Sequence, residues 1–242
     1  MDDEIQCAIG GCGAITGDFS FAAIFRSSVN GTTGSLISLN DNATTARVQF
    51  HKNASNQLSL DIAGSVSNSA FTVLTASGWH LVSVTKRAGT QTPRFMKYPY
   101  ATGAYDSENG SAALGNPVAA TSQVKFGHHT TADPDFLSGD LLVAGVWDRE
   151  LLDPDEVNAL AFSLHYWLGS APRGLWLLDQ DPVRLLTDMT GLGANEQART
   201  GTAVATNHPV IFNRYGSIIR PSRQAAAAAA IGHRMALLGV GR

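Results

Sequence analysis

Residues 136–160 read FLSGDLLVAGVWDRELLDPDEVNAL, and this stretch is the most informative about the fold because it predicts a strand followed directly by a helix. The run Gly139–Trp147 has strand character. Asp153 is a suitable N-cap, Pro154 suits the first helical position, and Glu156 lies three residues after the cap. The pattern predicts one helix that runs to about residue 165. Its apolar stripe consists of Val157, Leu160 and Leu164.

Outward from this stretch, the chain is rich in short segments in which apolar and polar residues alternate, separated by polar turns. The predicted strands cover residues 19–26, 34–39, 47–51, 57–62, 71–74, 79–86, 94–98, 124–127 and 174–178. Residues 99–123 are small, polar and punctuated by glycine and proline, which predicts a long surface loop. Many strands with one helix near their end predict an all-β, antiparallel β-sandwich.

Composition agrees with a folded domain and excludes several protein classes. The 242 residues are 44% hydrophobic and only 15% charged, so the chain can build a core and is not a disordered polyelectrolyte. No stretch approaches the ~20 uncharged apolar residues of a membrane helix. The start, Met1 to Glu4, is acidic and lacks the basic segment of a signal peptide.

The two cysteines, Cys7 and Cys12, lie in a glycine-rich segment. A disulfide between them is geometrically possible, but it would close a very short loop. No second cysteine or histidine pair has suitable spacing for zinc. Two small buried thiols are therefore the favoured interpretation.

The order of these segments resembles the laminin-G-like, or concanavalin A-like, jelly-roll family. The resemblance covers about residues 18–165. It rests on an early F-S-F strand, a central W-H strand and the late signature 136–160. The resemblance implies a jelly-roll sandwich that the short helix caps at one end.

One departure from the family concerns chain order. Family members often begin with a segment that here comes last, in the pieces Leu175–Asp179, Asp188–Gly193 and Gly201–Thr202. We therefore expect residues 174–212 to supply closing strands to the chain's own sandwich in permuted order. Donation of these strands to a neighbouring subunit is the alternative. The predicted division is a sandwich at 1–212 and an Arg/Ala-rich tail or docking helix at 213–242.

The resemblance also implies two binding features at the rim of the sandwich. Related modules hold calcium there with carboxylates, and an aromatic platform could stack sugars. An ordinary turn and packing of the long loop are the alternative roles for these residues. The predicted calcium ligands are Asp133, Asp135 and Asp140, and the predicted sugar-stacking residues are Tyr98, Tyr100 and Tyr105.

Charge is distributed unevenly along the chain. The first 196 residues hold all 20 acidic residues and 11 basic ones, while the remainder holds six arginines and no acid. Such a tail could dock on the acidic surface of another protein, or it could simply be solvated. It lacks aromatic residues after Tyr215, so nucleic acid is not expected as a partner. The predicted docking residues are Arg214, Arg220, Arg223, Arg234 and Arg242.

No catalytic constellation accompanies the fold. The chain lacks the alternating carboxylates of jelly-roll glycosidases, a nucleophile elbow and a P-loop. His128 and His129 are interpreted as surface residues, and His80 is expected to face solvent. The acidic residues from Asp148 to Glu156 are interpreted as helix-capping charges.

The sequence therefore predicts a non-enzymatic protein with no required cofactor. By its resemblance to jelly-roll modules of tailed phages, we expect a virion structural protein, either a capsid decoration or a minor tail component. Its expected partners are other virion proteins and copies of itself, and its expected location is the phage particle surface. The alternative function is a carbohydrate-binding module that adheres to a host glycan.

Overall fold

Two antiparallel sheets, here called sheet A and sheet B, form the protein. The structure is a computed structural model that describes residues 4–42, 45–74, 78–128, 136–151, 154–178, 189–193 and 196–200. Sheet A contains, from edge to edge, β13 (Glu196–Thr200), β1 (Glu4–Ala8), β10 (Gln123–Phe126), β3 (Gly34–Asn40), β4 (Ala46–Lys52), β5 (Gln57–Ile62) and β6 (Ser65–Thr72). Sheet B contains β12 (Gly174–Leu177), β11 (Gly139–Trp147), β2 (Phe19–Ser27), β7 (His80–Lys86), β8 (Arg94–Pro99) and β9 (Asp106–Asn109).

Among the described residues the helices are few and short. A 3-10 helix (Gly10–Ala14) follows β1, and two α-helices, α1 (Pro154–Phe162) and α2 (Leu164–Gly169), follow β11. The predicted all-β antiparallel sandwich is thus confirmed. No helix within the described part of the chain has the length and hydropathy that crossing a membrane requires.

The main core lies between the facing surfaces of the sheets. Alternate residues of each strand point into it, as the period of two requires. In β2, for example, Phe21 and Phe25 are fully buried there and pack with Phe50 of β4 and Trp176 of β12. The next residue of β2, Arg26, therefore belongs to the outer surface of sheet B.

A second core covers that outer surface of sheet B. Trp147 and Trp167 are fully buried in it, with ring centroids 5.6 Å apart. The Trp167 indole N–H donates to the carbonyl of Leu160 (2.6 Å), which fixes α2 against α1. Gly145 leaves the room for this packing, since a Cβ atom there would lie 2.5 Å from the Trp147 ring. The central strands β2 and β7 of sheet B are consequently buried on both faces over most of their length.

The predicted single helix is interrupted at Ser163. This residue is extended, and its hydroxyl accepts a hydrogen bond from the backbone N–H of Tyr166 (3.1 Å). Ser163 thus acts as the N-cap of a new helix, which explains why one helix became two. The predicted cap at Asp153 lies outside the described residues.

Strands that follow the helices pair with both sheets of the same chain. β12 is antiparallel to β11, with Ala144 opposite Trp176, and β13 is antiparallel to β1, with Ile5 opposite Arg199. Residues 201–242 lie outside the described residues, so the division into 1–212 and 213–242 stays a prediction. Cys7 and Cys12 are both buried thiols, as the favoured interpretation predicted.

The region predicted as one long loop contains β9 and a cover for the edge of β6. Glu108 accepts a hydrogen bond from the Phe71 backbone N–H (2.7 Å), and Ser111 exchanges two hydrogen bonds with Asn68 (2.9 and 3.0 Å). These bonds occupy backbone groups that an edge strand would otherwise present to another chain.

Candidate functional site

A group of charged and aromatic side chains lies at one end of the outer surface of sheet B. We call this group the rim patch, because it adjoins the ends of the strands and the edge of the second core. Its members are Arg26, Trp79, Tyr98, Tyr100, Asp140 and Phe162.

Arg26 and Asp140 form the charged part of the rim patch. The register of β2 and β11 places them directly opposite each other. Nε and Nη2 of Arg26 both donate to Oδ2 of Asp140, over 2.9 and 2.5 Å. The side chains keep 33% and 26% of their exposure, so the pair remains accessible to solvent.

Trp79 connects this ion pair to the aromatic part of the patch. The Arg26 guanidinium lies 5.2 Å from the centroid of the Trp79 ring, within the range of a cation–π contact. The Trp79 carbonyl accepts a hydrogen bond from the backbone N–H of Tyr100 (2.9 Å). Charged and aromatic residues therefore follow one another across neighbouring strands.

Phe162, at the end of α1, is the exposed member of a three-ring cluster. Its ring centroid lies 5.5 Å from that of Tyr98 and 6.2 Å from that of Tyr100, in edge-to-face geometry. Phe162 is 47% exposed. A large apolar side chain that stays exposed beside hydrogen-bonding groups is a typical feature of a ligand site.

The three predicted tyrosines differ in their surroundings. Tyr100 donates its hydroxyl proton to the carbonyl of Ala161 (2.7 Å), and burial is the main cause that raises its pKa. Tyr98 is half-buried and forms an edge contact with Tyr100 at 5.5 Å. Tyr105 packs against the second core with its hydroxyl oxygen buried. Tyr98 and Tyr100 contact α1 through Phe162 and Ala161, and the contact of the three tyrosines with sugar stays a prediction.

The predicted calcium ligands are only partly described. Asp140 accepts both hydrogen bonds from Arg26, so a guanidinium already neutralises its carboxylate. Asp133 and Asp135 lie outside the described residues. Across the described residues, no group of three or more histidine, cysteine or acidic side chains could hold a metal ion. Calcium therefore stays a prediction.

The predicted docking arginines also lie outside the described residues, because they all follow residue 200. Their docking role stays a prediction that rests on charge alone; the residues are Arg214, Arg220, Arg223, Arg234 and Arg242.

The acidic residues near α1 form ion pairs. Asp148 pairs with Arg173, Glu150 with Arg87, and Glu156 with Arg149. These contacts join the loop after β11 to neighbouring loops and to α1. These three carboxylates therefore have a structural role as ion-pair partners, and their interpretation as helix-capping charges stays a prediction.

Two histidines were wrongly predicted to be exposed. His80 is buried because β7 directs it to the core side, where its ring lies 6.0 Å from Phe25. Desolvation by burial lowers its pKa to about 4. His128 is also buried and stacks on Phe136, with ring centroids 4.1 Å apart. His129 lies outside the described residues.

Arg26, Trp79 and Phe162 were not predicted as site residues. A signal for Arg26 was present, since it is the one charged residue in the otherwise apolar and hydroxyl-bearing strand FSFAAIFRS. Phe162 could not be singled out, because its exposure depends on where α1 ends and how that helix packs on β8.

Comparisons with known proteins support the fold. Neither family models nor curated protein sequences give a significant match to this chain. Among solved structures, a candidate carbohydrate binding protein from Bacteroides ovatus is similar over 82% of this chain, with a TM-score of 0.52 and 12% identity. This chain spans 56% of the length of that protein.

Two further structures show weaker likeness. A heptameric SAP-like pentraxin from Limulus polyphemus matches 65% of this chain and 75% of its own, with 13% identity and a TM-score of 0.45. Tailspike protein 2 of an Escherichia coli bacteriophage matches 70% of this chain and 25% of its own, with 14% identity and a TM-score of 0.46. The neighbours are jelly-roll or lectin-like β-sandwich proteins, and the likeness concerns the fold alone.

Proposed function

We propose that this protein is a non-catalytic carbohydrate-binding module and that the rim patch is its binding site. The observation that carries the proposal is the combination of an exposed aromatic ring, Phe162, with an accessible hydrogen-bonding pair, Arg26 and Asp140. Sugars present both apolar ring faces and hydroxyl groups, so a site for them needs both kinds of side chain. Aromatic rings supply large rigid contact surface, while a few polar groups fix orientation.

The surroundings of the acidic residues support a binding role rather than hydrolysis. Glycosidases use two carboxylates that flank the scissile bond, one of them free to act as an acid. Asp140, Asp148, Glu150 and Glu156 each have an arginine partner in the described part of the chain. The resemblance in fold to a candidate carbohydrate binding protein agrees with the same proposal.

The proposal is tested by applying the full chain to a printed array of oligosaccharides. We expect binding to a defined subset of glycans and a loss of that binding in Phe162→Ala. Val118→Ala is the matched control, because Val118 is also an exposed apolar residue (60% exposed). It lies far from the rim patch, since its loop is held by a hydrogen bond from the Gly89 backbone N–H to Asn116, at the opposite end of β7. The absence of glycan binding by the wild-type chain would refute the proposal.

A second candidate function is a structural component of a tailed-phage virion, either a decoration or a minor tail protein. The charge distribution favours it, because an acidic first part of −9 is followed by a segment that holds six arginines and no acid. Opposite charges of this kind suit docking between neighbouring subunits of a particle. Glycan binding and a place on the particle surface are compatible, since a host-adhesion module needs both.

This second function has its own experiment. Replacing Arg214, Arg220, Arg223, Arg234 and Arg242 by glutamine in the full chain removes the charge and keeps the length. We expect the variant to fold and to be lost from purified particles of the phage that encodes it. Normal incorporation of the variant would contradict docking through these arginines.

A further inference from the structure

The Arg26–Asp140 pair indicates which class of sugar the rim patch binds. Given the proposed carbohydrate-binding function, on which this inference rests, we propose that the patch selects neutral pyranose oligosaccharides. Arg26 and Asp140 together bind adjacent sugar hydroxyls, and Phe162 stacks on a ring face.

The hydrogen bonds within the pair leave N–H donors of Arg26 and one carboxylate oxygen of Asp140 available. Both bonds from Arg26 end on the same carboxylate oxygen, Oδ2 of Asp140. A guanidinium has five N–H donors and a carboxylate has two acceptor oxygens. Within the described residues, the second N–H of Nη2, both N–H of Nη1 and Oδ1 of Asp140 therefore remain open to a ligand.

An open donor beside an open acceptor matches the chemistry of a sugar diol. One hydroxyl can accept a hydrogen bond from the second N–H of Nη2 of Arg26, while its neighbour donates to Oδ1 of Asp140. Hydrogen bonds to charged groups are stronger than neutral ones, so this pair can fix the orientation of the sugar. Trp79 holds the guanidinium from one side, which limits the entropy lost on binding.

The same pairing disfavours acidic sugars. Asp140 already neutralises Arg26 at 2.5 Å, so the patch offers no uncompensated positive charge to a ligand carboxylate. A carboxylate placed at the second N–H of Nη2 would also approach the Asp140 carboxylate, and like charges at short range repel. Selectivity for neutral sugars follows from the pair rather than from either residue alone.

The extent of the patch indicates an oligosaccharide rather than a single sugar. Asp140, Arg26, Trp79 and Tyr100 belong to or directly flank four successive strands, β11, β2, β7 and β8. Three strand spacings correspond to about 14 Å. Phe162 packs against Tyr98 and Tyr100, whereas Asp140 lies on β11 at the other end of the patch, so one pyranose ring cannot contact both ends.

The experiment compares neutral oligosaccharides with glucuronic- or sialic-acid-terminated counterparts on one array, using the wild type, Asp140→Asn and Arg26→Lys. We expect the wild type to bind neutral oligosaccharides. Asp140→Asn keeps the shape of the side chain but removes its charge. We expect it to lose about tenfold or more in affinity for neutral glycans, the value of a hydrogen bond to a charged group, and to gain binding of acidic ones. Arg26→Lys keeps the charge without the planar fork and should weaken neutral binding as well.

The outcomes separate this inference from the proposed function. Equal or better binding of acidic glycans by the wild type, or unchanged neutral binding by folded Asp140→Asn, would overturn the inference while carbohydrate binding stands. The absence of binding to any glycan would refute the proposed function itself. Thermal unfolding of each variant, with Val118→Ala as reference, verifies that a loss of binding is not a loss of fold.

Discussion

The buried histidine of β7 makes the stability of this protein dependent on pH in a range where few other side chains titrate. Burial lowers the pKa of His80 from 6.5 to about 4. The folded state therefore binds a proton less readily than the unfolded state, and stability must fall as the pH decreases through this window. The full contribution is present above about pH 6.5 and is lost progressively towards pH 4.

The size of this effect follows from the two pKa values. Their difference corresponds to about 3 kcal/mol over the whole window, and about 2 kcal/mol of it is lost between pH 7 and pH 5. Urea denaturation followed by tryptophan fluorescence at several pH values measures the free energy of unfolding directly. The matched variant is His80→Gln, which is polar but does not titrate.

We expect the wild type to lose about 2 kcal/mol more than His80→Gln between pH 7 and pH 5. The variant is less stable at pH 7 because its amide is buried where His80 is only 2% exposed. Only the change in the free energy of unfolding with pH is compared between the two proteins. If the free energy of unfolding depended on pH in the same way for both proteins, the lowered pKa of His80 would be contradicted, since His80 would then not be desolvated in the folded state.

Three further predictions concern the packing and the rim of the sandwich. Gly145→Ala should lower the free energy of unfolding by about 1–3 kcal/mol, because the new methyl group clashes with the Trp147 ring. An unchanged midpoint of urea denaturation would contradict the packing of the second core. Trp167→Ala should cost about 3–5 kcal/mol through the cavity and the lost bond to Leu160, and a loss below about 1 kcal/mol would mean that α2 is not docked. The hydrogen bond from Arg47 is the main cause that lowers the pKa of Asp41. The ionised Asp41 therefore stabilises the folded state above its ordinary pKa, and this stabilisation is lost as the pH falls. Asp41→Asn should therefore be less stable than the wild type at pH 6 and lose less between pH 4 and pH 2, whereas equal acid sensitivity would argue against that ion pair.

The strand content could be predicted because the alternation of apolar and polar residues is local. Residues 79–86 and 94–98 of the sequence pattern correspond closely to His80–Lys86 and Arg94–Pro99 in the structure. The edge strand Ser65–Thr72 was predicted only in part, as residues 71–74. Its sequence SVSNSAFT is largely polar, since one side of the strand is covered by a loop and not by the core.

The break between the helices and the orientation of His80 depend on tertiary structure. The continuous apolar pattern after Asp153 predicts one helix, but the hydroxyl of Ser163 competes for a backbone N–H and starts a second. His80 carries no local sign of burial. Its position is decided by the register of β7 against β2, which places it opposite Phe25.

The rim patch combines residues that are distant in sequence. Arg26 and Asp140 are 114 positions apart, and only the pairing of β2 with β11 brings them together. The prediction from sequence included Asp140, Tyr98 and Tyr100 as separate features, one for calcium and two for sugar. The structure places these three on one surface and adds an arginine, a tryptophan and an exposed phenylalanine.

A two-dimensional NMR titration of the full chain with an array-selected oligosaccharide shows whether a glycan binds at the rim patch. We expect shifts in the Trp79 indole signal and in the backbone signals of Arg26, Asp140 and Phe162, while the indole signal of Trp176, inside the main core, does not shift. Shifts confined to the opposite end of the sandwich, around Asn116 and Val118, would contradict binding at the rim patch.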